Sequence, residues 1–302
     1  MPSIKDLKKR IGSTKNTQQT TRAMKMVSAA KLRRAQEAIL AQRPYARRIG
    51  ELIRTLMAMP DLNVKSELLS RDATFDSEKK KKLLFVVVTS DRGLCAGFNS
   101  NIIKGTQRWM MANAADYESV TVSFVGRRGH DFFKTKGMKV GKYYAELGGK
   151  VAFEKGRALA KDLTDSYLSG EFDEIKVIYN EFKNAISQVV QVETFLPLAE
   201  AFQNDGSRDP MSEADAGLLI VKPDAATVFM DLLQKHLPSQ AFRILLESQA
   251  SEHGARMSAM ESATKNAGEM IRKLTLQYNK QRQASITKEL LEIISGSESQ
   301  KG

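Results

Sequence analysis

Apolar residues recur at alternating steps of three and four along the first 56 positions of the chain. The stripe runs Ile4, Leu7, Ile11, Thr14, Gln18, Thr21, Lys25, Ser28, Leu32, Ala35, Ile39, Gln42, Ala46, Ile49, Ile53, Leu56. Ten of these sixteen positions are apolar, and the polar ones cluster between Thr14 and Ser28. One heptad register held this long predicts a single helix of about 80 Å, whose stripe needs a partner to cover it. Ser3 followed by Asp6 marks its start, and Pro44 is expected to kink or loosen it. A second stripe, Met260, Ala263, Ala267, Met270, Leu274, Gln277, Gln281, Ala284, Lys288, Leu291, predicts another long helix near the end, fraying from Gly296. Pro238 is expected to interrupt its start. Two such helices can bury their stripes by pairing antiparallel, and small residues on both seams (Ala35, Ala46, Ala263, Ala267, Ala284) permit close approach.

The middle of the chain has a different period. Leu83–Thr89 is a short apolar run of the kind found in strands buried on both faces. Val120–Val125, Met138–Tyr144 and Glu174–Tyr179 read as further strands, with helical patterns at Ile102–Ala114 and Ala152–Tyr167. Strands alternating with helices predict a mostly parallel sheet. Val189–Phe195 adds a candidate edge strand after a turn over Asn180–Ser187. Residues 60–78 and 203–216 have loop composition. The predicted fold is therefore a long antiparallel two-helix coiled coil from both termini with an inserted Rossmann-like α/β domain. Its parts are a coiled-coil helix at 1–59, the α/β domain at 80–200, a second coiled-coil helix at 211–296 and a flexible tail at 297–302.

Charge sharpens this picture. Of the formal +12, residues 1–59 carry +11, from 14 Lys+Arg against 3 Asp+Glu. The first helix thus faces nucleic acid, an acidic protein surface, or solvent alone. Aromatic interleaving is missing, since Tyr45 is the only aromatic in the first 74 residues. The longest purely apolar run, Leu83–Val88, is far too short for a membrane span, and no apolar leader is expected. With Cys95 as the one cysteine, no internal disulfide can form, and His130, His236 and His253 show no metal-ligand spacing.

Nucleotide motifs are wanting. Gly137-Met-Lys-Val-Gly141-Lys142-Tyr143 is one residue short of a P-loop and has tyrosine where a Mg²⁺-binding hydroxyl belongs, so it reads as a turn into a strand. The loop Thr89-Ser-Asp-Arg-Gly-Leu-Cys-Ala-Gly-Phe-Asn99 follows the first strand, where open α/β sheets bind ligands. It is either an anion site or a strand-to-helix turn, with Gly93 and Gly97 at special angles and Asn99 or Ser100 as helix cap.

Four stretches carry a family resemblance. Gly12–Arg34, Thr89–Asn99, Ser251–Met257 and Tyr278–Leu290 resemble, in order, segments of the gamma subunits of bacterial F-type ATP synthases. The resemblance implies a non-catalytic rotor shaft without a cofactor. One copy would stand inside an alternating alpha–beta hexamer and bind the epsilon subunit and the membrane rotor ring, but no nucleic acid. It implies a peripheral position on the cytoplasmic face of the inner membrane. Arg282, Gln283 and Thr287 match positions that contact a beta-subunit loop. Met24 and Arg256 match positions near the moving beta domains, and Lys25 on the seam fits a beta-contacting segment whose partner is partly the stator.

Overall fold

The computed structural model describes residues 3–59, 66–70, 80–138, 140–145, 151–185, 187–199, 202 and 221–299. The expected loop at 203–216 lies outside them, as does that at 60–78 apart from 66–70, which form a turn. The chain divides into two compact units, one of residues 1–28 with 256–302, the other of residues 29–255. Two helices contribute to both: α1, Ile4–Met57, and α5, Ala225–Ser299.

The larger unit is built on a five-stranded sheet. Its strands are β1 (Lys82–Val88), β2 (Ser119–Val125), β3 (Val140–Tyr144), β4 (Glu174–Phe182) and β5 (Gln188–Leu196), in spatial order β3-β2-β1-β4-β5. All neighbours are parallel except β4 and β5, so β5 is the antiparallel edge strand expected. Between them lie α2 (Phe98–Asn113), α3 (Arg127–Thr135) and α4 (Phe153–Leu168).

The unbroken apolar run of β1 follows from its central place. Leu84, Val86 and Val88 join a core with Ile49, Ile53 and Leu56 of α1, Leu159 and Leu163 of α4, and Phe229, Leu233 and Leu237 of α5. Leu83, Phe85 and Val87 join the opposite core with Phe98, Ile102 and Ile103 of α2 and Phe133 of α3. Alternation along a strand delivers successive side chains to opposite faces, so a strand covered on both sides is apolar at every position. Helix α4 approaches α5 closely at Gly156, where a Cβ would lie 2.8 Å from the Phe242 backbone.

Two expectations need correction, and one element is new. Pro238 does not interrupt the C-terminal helix, because α5 begins at Ala225 and carries the proline inside. Asp224 caps that start, accepting from the Thr227 backbone N–H at 2.8 Å. Burial of Leu233, Leu237, Ala241 and Leu245 then holds the helix through the residue that lacks a donor. The same helix also continues past Gly296 to Ser299, since an exposed glycine costs only about 1 kcal/mol and does not end a helix by itself. Helix α3 has no counterpart among the expected elements. It is nine residues long, contains Gly129, and offers few apolar residues to set a period.

Helix α5 is clamped to the β4–β5 hairpin by Arg243. Its Nη2 donates to Glu193 Oε1 and Oε2 at 2.5 and 2.6 Å, and its Nη1 donates to the Tyr179 hydroxyl at 3.0 Å. Among the described residues Glu247, one turn on, receives a 3.4 Å contact from Arg243, and its buried Oε2 has no hydrogen-bond partner. Burial raises its pKa above the ordinary 4.5; Arg243 opposes that shift, while Glu181 and Glu193 add to it. A carboxyl with a raised folded pKa costs nothing below the ordinary value, and weakens the fold as pH rises through the raised one. Glu247→Gln should therefore leave stability near pH 4.5 unchanged and add about 1–3 kcal/mol at pH 8. Urea unfolding at both pH values checks this, and an equal gain at both would contradict it.

Candidate partner-binding surface

The smaller unit begins with a reciprocal cap. The Ser3 hydroxyl donates to Asp6 Oδ2 at 2.8 Å, and the Asp6 backbone N–H donates to Ser3 Oγ at 3.1 Å. These Ser3 bonds hold the Asp6 pKa below its usual value. From there every one of the sixteen stripe positions of α1 is buried or half-buried.

The stripe of α5 in this unit is half right. Met260, Ala267, Leu274 and Gln281 lie on the covered face as expected. Between them, however, the face runs through Thr264, Ile271, Tyr278 and Ser285, each one residue beyond Ala263, Met270, Gln277 and Ala284. Met270, Gln277 and Ala284 are exposed, as are Lys288 and Leu291. The polar cluster on α1 explains the shift. Thr264 Oγ1 donates to Thr21 Oγ1 at 2.8 Å, and Gln18 Nε2 donates to the Thr264 carbonyl at 3.4 Å. Gly268 makes room for Gln18, since a Cβ there would lie 3.0 Å from Gln18 Nε2. Polar residues on a seam of this kind specify register at some cost in stability.

The outward faces are mainly polar and cationic, with Met26, Val27, Met270 and Leu276 exposed among them. Lys5, Lys8, Lys9, Arg10, Lys15 and Arg22 are exposed. Lys25 Nζ reaches Glu261 at 2.7 Å across the seam. Met24 is half-buried, whereas Arg256 is 9% exposed and offers a partner little more than its edge. Arg282, Gln283 and Thr287 are all exposed, close together in the late turns of α5, with the Thr287 hydroxyl donating to the Gln283 carbonyl at 2.9 Å. Beyond Ser285 every side chain described through Ser297 is exposed, including Ile286, Leu290, Leu291, Ile293 and Ile294. That exposed apolar patch was not singled out in the sequence, although an isoleucine- and leucine-rich end without a matching stripe on α1 was its signal.

The Thr89–Asn99 loop closes on itself. Ser90 Oγ donates to the Arg92 carbonyl at 2.6 Å, the Ser90 N–H donates to Asn99 Oδ1 at 3.0 Å, and Asn99 Nδ2 donates to Cys95 Sγ at 3.2 Å. Asp91 Oδ1 accepts from the Arg127 N–H at the start of α3, and Cys95 is buried. The geometry of a strand-to-helix turn prevails, with two changes. The left-handed angles fall on Leu94 and Ala96 rather than on Gly93 and Gly97. Asn99 binds Ser90 instead of capping α2, and Ser100 donates to the Gly97 carbonyl. Gly137 has φ +71° after α3, ahead of β3, and Lys142 pairs with Asp162. Among the described residues no group of three or more His, Cys, Asp or Glu is placed to hold a metal, and no helix is long and apolar enough to cross a membrane.

An α/β domain inserted in sequence between two paired helices, with a cationic flank and an apolar helix end left open, belongs to a class of proteins built for engagement by larger partners. A family model described as ATP synthase matches residues 3–299. The ATP synthase gamma chain of Anaeromyxobacter sp. (strain Fw109-5) is 48% identical and that of Bdellovibrio bacteriovorus 46% identical, each covering 100% of both chains. A chain of the Tetrahymena thermophila mitochondrial ATP synthase central stalk and c-ring structure aligns with TM-score 0.55 at 25% identity, covering 81% of this chain and 99% of that one. A chain of the Euglena gracilis mitochondrial ATP synthase shares the fold at TM-score 0.63 and 22% identity, covering 98% of this chain and 94% of that one. The chain belongs to the ATP synthase gamma chain family, whose members are non-catalytic subunits of the central stalk.

The Lys25–Glu261 pair is exposed enough for solvent screening to dominate. A double-mutant cycle with Lys25→Ala and Glu261→Ala should give a coupling of about 0.2–1 kcal/mol that vanishes in about 1 M salt. A larger, salt-insensitive coupling would show that the pair is shielded.

Proposed function

We propose that this chain is the rotating shaft of an F-type ATP synthase, coupling ion-driven turning of a membrane ring to conformational change in catalytic beta subunits. The observation that carries the reading is the division of labour in the smaller unit. Its seam is covered and its α1 flank presents cations at Lys5, Lys8, Lys9, Arg10, Lys15 and Arg22, with exposed apolar side chains at Met26, Val27, Met270 and Leu276 and grouped in the last turns of α5. A shaft must make and break contacts at each step. Exposed ion pairs suit that, being worth about 1 kcal/mol or less, whereas burying a large apolar side chain adds roughly 1.5–3 kcal/mol to release.

In this reading Arg282, Gln283 and Thr287 grip a beta-subunit loop, and Met24, Lys25 and the edge of Arg256 meet the moving beta domains. The cationic face of α1 lies toward acidic beta-subunit surface. The α/β unit binds the epsilon subunit and the ring, holding the chain as a peripheral subunit on the cytoplasmic face of the bacterial inner membrane.

Reconstitution with alpha and beta chains tests the reading, with one copy expected per three catalytic sites; three copies would end it. For the contact residues, Arg282→Ala or Gln283→Ala should lower coupled ATP synthesis about tenfold, as expected for a lost charge-assisted hydrogen bond, without changing the circular dichroism of the isolated chain. Unchanged assembly and synthesis in both variants would remove these residues from the contact.

A further inference from the structure

One face of α5 is fastened to the β4–β5 hairpin by directional polar contacts. Arg243, Glu247, Ser251 and Gly254 follow at steps of four, four and three, so they share one side of the helix over about 16 Å. Arg243 forks onto both carboxylate oxygens of Glu193 on β5 and donates to the Tyr179 hydroxyl on β4. Two turns on, the fully buried Ser251 donates its hydroxyl to the Asn180 carbonyl of β4 at 3.0 Å. At Gly254 the two backbones lie against each other, since a Cβ there would stand 3.1 Å from the Ala185 carbonyl oxygen in the hairpin turn. The larger unit takes α5 only as far as Ala255, so this fastened face covers the last turns of the helix within that unit.

Apolar packing fixes how near a helix lies, but it is non-directional and lets surfaces slide. Hydrogen bonds weaken steeply when misaligned, and a guanidinium fork on a carboxylate adds geometric specificity. Placed on the side of the helix, away from its axis, such bonds oppose rotation of α5 about its own length. Stability alone does not call for the ion pair, because apolar residues of similar volume often serve a desolvated site equally well.

We infer that the hairpin face of α5 is a torsional lock, through which turning of the α/β unit is passed into the helix. Arg243 and Ser251 are its positioning residues and keep α5 from slipping round against the sheet. The lock rests on the reading of the chain as a rotating shaft.

The test uses the complete assembly in sealed vesicles and reads ions pumped per ATP hydrolysed. Arg243→Met, Glu193→Gln and Glu247→Gln together remove the fork without stranding a carboxylate, and Ser251→Ala removes a single oxygen. Losing one charge-assisted hydrogen bond multiplies a slipped population by about tenfold or more. The triple variant should therefore hydrolyse ATP at the ordinary rate while its pumping ratio falls severalfold, and Ser251→Ala should lower the ratio less. Ile53→Val, in the buried part of α1, weakens the same unit and should leave the ratio unchanged. A ratio that stays at the wild-type value in the triple variant would overturn the lock, and so would an equal fall in Ile53→Val. If the triple variant does not assemble, Ser251→Ala decides alone, and an unchanged ratio there overturns the lock. A wild-type chain that never enters an assembly with alpha and beta chains sinks the shaft reading and the lock together, whereas assembled variants with an unchanged ratio sink the lock alone.

Discussion

A heptad stripe that one helix cannot bury alone is the constraint from which the rest follows. The first helix carries its stripe from Ile4 to Leu56, and the chain meets the demand of the first turns with its own last helix. Pairing the ends antiparallel turns the stripe of α1 inward and leaves its lysines and arginines outside, while the last turns of α5 keep apolar side chains exposed. The seam is not uniformly apolar, and its polar layer at Gln18, Thr21 and Thr264 trades some burial for a defined register. A pair that slipped by one residue would misplace every outward side chain, including Arg282 and Gln283.

The α/β unit obeys a second version of the same rule. A central parallel strand is covered on both faces, so β1 is apolar throughout and its neighbours must bring helices to each side. Helix α5 serves one of these faces and is clamped to the hairpin edge by Arg243. The clamp is imperfect, since one guanidinium meets two glutamates and leaves one Glu247 oxygen unmet among the described residues. Where the sheet ends, strain collects in the turn at Leu94 and Ala96 rather than at its glycines. A Cβ on Gly93 would lie 2.9 Å from the guanidinium of Arg128, an exposed side chain whose end can move aside.

Periodicity made the architecture legible. The α1 register was right at every position, and the strands, α2 and α4 were placed to within a few residues, because long apolar patterns leave little choice. The α5 register was legible at Met260, Ala263, Ala267, Leu274 and Gln281. Met270 and Ala284 are more apolar than Thr264 or Ser285, yet Thr21 of α1 selects the Thr264 hydroxyl, which no single-helix pattern records. Helix α3 was illegible because nine residues with an internal glycine carry too few apolar positions. Of the candidate contact residues, Arg282, Gln283 and Thr287 came from resemblance and not from spacing. The structure leaves all three exposed.

The most direct measurement is disulfide formation between Thr21→Cys and Thr264→Cys in the full-length chain, whose hydroxyls now lie 2.8 Å apart. The account predicts rapid, nearly complete cross-linking within one chain under mild oxidation, in a preparation that still assembles. Thiols that stay reduced, or that link only between chains, would mean the two ends do not wind together, and the shaft would be lost with them.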